Sequence, residues 1–323
     1  MREDDRLWAL RAGLRAGGPL VNPNQTCGDG VLRWHRTARY RNPYAVAMTE
    51  ASPFRAIQQH YETDIDEDAR LRGGLGRLEL ARVQEIVRRH LPPAPQRVLD
   101  VGGATGVHAE WLLEDGHRVH LIDLVPGHVE RATARFDGRS RFTAEVGDAR
   151  QLPVRDAAFD VVLLFGPLYH LVERADRVAA WREAARAVVP GGLVLGMGIS
   201  RFASLFDGLA QSYLFDARFR TIVEQDLATG QHVNPTGDPR WFTTAYFHRP
   251  EELAEEAAEA RLDVRETVGV EGMAHWLKHL APRLDHPGDR DVILQSARAV
   301  ESEPTLLGLS SHLIAVASRD GQI

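Results

Sequence analysis

The stretch VLDVGGATGVHAEWL, residues 98–112, decides the fold. It opens as a short apolar run of the kind that makes a buried parallel strand. It then passes through glycines at 102, 103 and 106 and continues with helical apolar spacing. A glycine turn between strand and helix lets the backbone approach a ligand closely, and the helix start offers it unpaired N–H groups. The dinucleotide fingerprint needs G-x-G-x-x-G, but Ala104 and Thr105 stand between Gly103 and Gly106. A Walker A loop needs a Gly-Lys-Ser/Thr ending, which is also missing. The turn is a nucleotide-binding candidate of neither phosphate type.

Outward from this turn the chain alternates strands and helices. RVLDV (97–101) and RVHLID (118–123) read as strands, with a helix from about 105 to 115 between them and another from Pro126 to Phe136. RFTAEVGD (141–148) and FDVVLLFG (159–166) follow as strands three and four. Val178, Trp181, Ala185 and Val188 share a helical face before a turn, VPGG (189–192), and a fifth strand. A helix over about 250–260, a strand over 262–270 and a last strand in SSHLIAVAS (310–318) complete the pattern. Such alternation implies a parallel sheet covered on both faces. Upstream, apolar spacing from Ala69 to Leu91 reads as a helix loosened by Gly73, Gly74 and Gly76, and LPPAPQ ends it.

In an open parallel sheet the strand ends line one crevice. Asp123 ends strand two, where its carboxylate can accept from both hydroxyls of a ribose. Asp148 ends strand three, placed to accept from an adenine amino group, with the Ala149 N–H available to a ring nitrogen. A single strand-end Asp is commonly a helix cap. Three features at three consecutive strand ends point instead to a nucleoside.

At these residues the chain resembles the class I S-adenosylmethionine-dependent methyltransferases. VLDVGGATG is similar to their acidic-x-Gly-x-Gly-x-Gly signature, LID (121–123) to the ribose-binding strand end and GDARQLP to the adenine-binding turn. FDVVLLFGPLYHL is similar to the fourth strand with the loop beside the transferable methyl, and VPGG to the turn before strand five. The resemblance covers about residues 60–200 well and the last strands more loosely. It implies S-adenosyl-L-methionine as cofactor, with Asp100 bracing the loop, Gly102 and Gly106 shaping it, and Asp123 and Asp148 holding the adenosine. Gly103, Ala104, Thr105, Leu124, Ala149, Phe165 and the upstream Tyr61 complete the expected cofactor contacts. Ala104 departs from the family's middle glycine and is expected to be tolerated if its φ stays negative. The implied fold is an α/β, Rossmann-like doubly wound sheet of seven strands with the last strand antiparallel.

Residues 200–249 break the rhythm with a run of aromatics, Phe202 to Phe247, that is either a lid over an apolar acceptor or a satellite core or subunit contact. The expected organisation is an extension outside the core fold (1–47), an N-terminal helical cover (48–95) and a methyltransferase domain (96–323) carrying that lid after strand five. Residues 1–47 hold eight arginines and four acids, and Met48 is the natural start if they lie outside the fold. Methyl transfer chiefly needs donor and acceptor held in line, with a base only for a protonated acceptor. His170, with an ordinary pKa near ~6.5, is the candidate base, and Tyr169 can stack on or hydrogen-bond the acceptor. Alternatively both shape the loop. Arg70 or Arg72 either pairs with the cofactor's carboxylate or belongs to a solvated helix start.

The net charge of −6 argues against a nucleic-acid partner, and the loop reads Gly-Pro-Leu-Tyr where base-amine methyltransferases carry Asn-Pro-Pro-Tyr. No apolar run reaches the 18 residues of a membrane span. The single cysteine, Cys27, fits a cytoplasmic protein, and neither a zinc spacing nor a separate carboxylate cluster suggests a metal. The expected function is methyl transfer to O, N or C of a small-molecule acceptor, such as a specialised metabolite or quinone-like compound. A protein or RNA methyltransferase, a nicotinamide-dependent oxidoreductase and a non-catalytic S-adenosylmethionine-binding protein are the alternatives. Oligomeric state is not specified by the sequence.

Overall fold

A computed structural model describes residues 67–321 apart from 239 and 278. Residues 1–47, Met48 and Tyr61 therefore lie outside the described residues. The strands are β1 (Arg97–Val101), β2 (Arg118–Asp123), β3 (Phe142–Val146), β4 (Phe159–Leu164), β5 (Val188–Ser200), β6 (Gln231–His232), β7 (Ala245–His248), β8 (Leu262–Gly269) and β9 (His312–Arg319). The helices are α1 (Glu67–Arg72), α2 (Gly76–His90), α3 (Val107–Glu114), α4 (Pro126–Arg135), α5 (Pro167–His170), α6 (Arg174–Ala187), α7 (Ala203–Ala210), α8 (Ala217–Thr229), α9 (Pro250–Glu259), α10 (Leu280–Leu284) and α11 (Pro287–Val300).

The main sheet runs β3-β2-β1-β4-β5-β9-β8. β1 to β5 are mutually parallel, and the last strand, β9, runs antiparallel to both its neighbours. This is the expected seven-stranded sheet. Strand residues alternate between faces, so Val98 joins one apolar cluster with Ile86, Trp111 and Leu112. Leu99 and Val101 join the opposite one with Trp181, Ala184 and Leu253. Trp181 is fully buried, and trimming such a ring to alanine costs about 3–5 kcal/mol.

Three local expectations are corrected. The helix expected over 69–91 is two helices, because Gly74 takes a φ of 47° and turns the chain between them. VPGG does not precede strand five but lies inside it. The ladder steps from Phe159↔Val188 directly to Val161↔Leu193, so residues 189–192 bulge out of register. The segment after β5 contributes two further strands: β7 pairs in parallel with the end of β5, and β6 pairs antiparallel with β7.

Among the described residues no helix is long and apolar enough to cross a membrane.

Candidate active site

β1, β2, β3 and β4 all end at one edge of the sheet, and a cavity of about 1020 Å³, its open mouth included, runs along that edge. Gly102, Gly103, Ala104, Asp123, Leu124, Asp148, Ala149, Phe165, Tyr169 and His170 all line it. Three expected contacts do not: Asp100, Thr105 and Gly106 support the turn from behind. Thr105 presents its carbonyl to Arg135, and Gly106, at φ 88°, is the N-cap of α3.

The turn is built around its glycines. Gly102 has a φ of 78°, and a Cβ there would lie 2.6 Å from Pro167 Cδ. A Cβ on Gly103 would meet Asp100 Oδ2 and Leu121 at 2.7 Å. Ala104 is a correction to the sequence reading: its φ is +47°, not negative. An L-residue in that region costs about 1 kcal/mol or more, and a hydrogen bond opposes the strain, the Ala104 N–H donating to Asp123 Oδ2 at 2.9 Å.

Asp123 is a hub. Besides Ala104, its Oδ1 accepts the Val125 N–H at 2.9 Å and lies 3.1 Å from His128 Nδ1. A carboxylate offers about four lone-pair sites, so the group retains capacity toward the cavity. Asp148 also lies on the cavity wall, but Arg150 claims it: the guanidinium donates at 2.7 Å and the Arg150 N–H at 2.9 Å. Burial alone would raise the Asp148 carboxyl, yet these bonds hold it below its ordinary range.

Asp100 is fully buried, and neither of its oxygens has a hydrogen-bond partner. Desolvation, with the nearby Asp123 charge adding to it, pushes its pKa up to about 7. A buried carboxyl without a partner is costly, and this one sits directly beneath the glycine turn.

The far end of the cavity holds groups that no local motif announced. His108, in the first turn of α3, receives the Trp111 Nε1–H on Nδ1 at 3.4 Å, and burial pulls its pKa down to about 4. Glu79, from α2, lines the cavity too. Burial alone would raise it, but Arg70 and His312 hold it down at about 2. Arg70 donates to both Glu79 oxygens, at 2.7 and 3.0 Å, and to Glu67. Arg72 pairs with Asp68 and Glu110. Both arginines are thus engaged by carboxylates of the protein.

A second cavity, about 1120 Å³ with its mouth, opens beyond Tyr169 and Glu67, which line both. Its walls come largely from the segment after β5, including Phe219, Trp241, Phe242 and Phe247, with Trp276 from a short 3₁₀ turn (Gly272–Trp276). Tyr169 packs among Ile199, Phe242 and Phe247, and burial pushes its phenol far above the usual range, so the O–H stays protonated. Of these two cavities His170 lines the first, and it lies against the rings of Tyr169 and Phe242, at 4.7 and 6.0 Å between centroids.

Glu79, Glu271 and His312 bring ligand atoms within 4.8 Å of one another. The atoms that face one another are already engaged by the protein. Arg70 takes both Glu79 oxygens, while Glu271 accepts from Ser310 Oγ at 2.8 Å and lies 2.6 Å from His312 Nδ1. The cluster is an ion-pair network closed by a fixed guanidinium charge.

A family model described as a methyltransferase domain matches residues 98–192. The chain is similar to a ubiquinone biosynthesis O-methyltransferase of Thiobacillus denitrificans, 32% identical over 181 residues, which are 55% of this chain and 69% of that protein. It is also similar to a ubiquinone/menaquinone biosynthesis C-methyltransferase of Rubrivivax gelatinosus, 32% identical over 119 residues, or 36% of this chain and 45% of that one. In fold it resembles a solved S-adenosylmethionine-dependent methyltransferase of Methanosarcina mazei, with a TM-score of 0.51 at 14% identity, covering 73% of this chain and 98% of the other.

Proposed function

The chain belongs to the class I S-adenosylmethionine-dependent methyltransferases, and from that premise we propose that it methylates a small molecule seated beyond Tyr169. The observation that carries this reading is the junction of the two cavities. One cavity runs past the glycine turn and both strand-end acids, and the other is walled by aromatics. Tyr169 and Glu67 face both.

The residues of the first cavity fit the cofactor. Asp123 keeps lone pairs for ribose hydroxyls, Asp148 and Ala149 border the place of a base, and the glycine turn has no room for a Cβ at 102 or 103. The orphaned Asp100 carboxylate beneath the turn suits a positively charged ligand. When bound, S-adenosylmethionine supplies a methyl group on a sulfonium, already activated for displacement.

The chain's part is then to align and to exclude water. The buried Tyr169, whose phenol stays protonated, is the positioning group between the cavities. His170 takes a proton where the acceptor arrives as a hydroxyl. The helices and ribbon of 200–249 act as the lid over that acceptor.

Incubation with methyl-labelled S-adenosylmethionine and fractionated cell extract tests this reading. Label is expected in the small-molecule fraction. Label confined to protein or RNA would overturn the acceptor class.

A further inference from the structure

We propose that His312 selects the acceptor, donating a hydrogen bond from Nε2 to an oxygen of a planar aromatic molecule held in the second cavity. This rests on the methyltransferase reading and adds the chemistry of the molecule methylated.

Size and shape come first. The cavity is lined by Phe219, Trp241, Phe242, Phe247 and Trp276, and the Trp241 ring is itself packed against Phe219 at 5.2 Å between centroids. Rigid rings on several sides favour a flat, apolar guest through stacking and edge contacts.

The polar end is narrower in its demands. His312 opens β9 and lines the same cavity. Its Nδ1 is committed to Glu271 Oε1 at 2.6 Å, with Glu79 Oε2 at 3.9 Å. Nε2 has no partner among the described residues. Two carboxylates on one side of the ring favour the imidazolium, in which both nitrogens carry protons. Burial alone would lower its pKa, but Glu79 and Glu271 outweigh that and the repulsion of Arg70, bringing it up to about 9. Nε2 is therefore a donor at neutral pH.

Two other imidazoles, His232 and His275, line this cavity; His275 Nδ1 is buried without a hydrogen-bond partner among the described residues, so the His312 variants below are what separate His312 from it. His232 faces Asp226 through Nδ1 at 2.9 Å and the Phe242 carbonyl through Nε2 at 3.3 Å. Both its nitrogens are engaged in tying the lid segment together. The remaining titratable groups of the second cavity are Glu67, Arg70, Tyr169, Asp207, Arg240 and His275, and the Tyr169 phenol stays protonated. Arg70 and Arg240 are paired with Glu67, Glu79 and Asp238. Burial pushes the Asp207 carboxyl up while His275 opposes it. Asp207 is the one group there that would reward an amine instead, so an amine belongs in the test.

Four naphthalene probes separate the cases: 2-acetylnaphthalene, naphthalene-2-carboxylate, 2-ethylnaphthalene and 2-naphthylmethylamine. Their binding to the full chain, saturated with S-adenosylhomocysteine, is read by ligand-observed NMR. The ketone or the carboxylate is expected to bind at least fivefold more tightly than the ethyl compound, and which of the two leads tells a neutral from an anionic oxygen. His312→Phe should abolish that preference, and His312→Gln, which keeps a donor near Nε2, should restore part of it. Ketone binding should also weaken as pH rises through about 9, where Nε2 of the imidazolium loses its proton. Binding of both the ketone and the carboxylate no tighter than the ethyl compound by the wild type, which needs no variant to fold, would overturn the proposal, as would tightest binding of the amine. S-adenosylhomocysteine is titrated first on the same sample. Its failure to bind would count against the methyltransferase reading, whereas its binding with His312-independent probes would count against this inference alone.

Discussion

Asp123 accepts the Ala104 N–H at 2.9 Å, so the carboxylate ending the second strand also closes the turn after the first. One side chain thus sets both the ribose end of the cavity and the shape of the loop beside it. Replacing Asp123 by Ala removes both, and S-adenosylhomocysteine affinity should fall about 10- to 100-fold, or ~1–3 kcal/mol. Asp123→Asn keeps a carbonyl acceptor and should lose less. Calorimetric titration of the two variants checks the order.

The glycine turn makes opposite predictions two residues apart. Gly102→Ala places a methyl 2.6 Å from Pro167 Cδ at a φ of 78°, so it should both destabilise the fold and weaken the cofactor site. Ala104→Gly releases an L-residue from a φ of 47° and should stabilise by about 0.5–1 kcal/mol. Denaturant melts of both variants read the two signs.

Asp100 ties stability to pH. Its pKa is 3.8 in the unfolded chain and about 7 in the folded one. The folded state therefore prefers the protonated carboxyl, and the stability this contributes is full below pH 3.8 and lost as pH rises through 7. Asp100→Asn should stabilise the cofactor-free protein more at pH 8 than at pH 5, by on the order of 2 kcal/mol, as read from thermal melts at the two pH values. A cationic ligand reverses the preference. Wild-type affinity for S-adenosylmethionine should strengthen from pH 6 to pH 8, by at most about tenfold per pH unit, and Asp100→Asn should flatten that profile.

Much of this architecture was legible because it is local. β1 and β2 occupy the residues their apolar runs predict, and Asp123 ends β2; Asp148, expected to end the third strand, lies two residues past β3, which stops at Val146 opposite Asp123. Other features depend on what the chain meets after folding. The positive φ of Ala104 follows from the reach of Asp123, not from alanine's own preference. The bulge at 189–192 needs β4 as its ruler. Glu79, Glu271 and His312 sit on a helix, a loop and a strand far apart in sequence, so no spacing could announce their convergence. The β6-β7 ribbon escaped notice because its strands are too short to show alternation.

The seam between the sheet's last helix layer and the aromatic segment rests on a buried ion pair. Arg177 lies 2.7 Å from Glu256, donates to the Leu171 and Val172 carbonyls, and covers the Tyr246 ring at 3.5 Å. Arg177→Ala leaves Glu256 buried and should cost about 3–5 kcal/mol. A urea melt should show that loss, whereas an exposed pair such as Arg174–Glu259 should be worth ~1 kcal/mol or less.

Calorimetric titration with S-adenosylmethionine, S-adenosylhomocysteine and NADH addresses the central claim most directly. Both sulfur nucleosides are expected to bind one per chain, Asp123→Ala to weaken both, and NADH not to compete. Tight NADH binding, or binding of neither nucleoside, would contradict that claim and leave the fold without the activity.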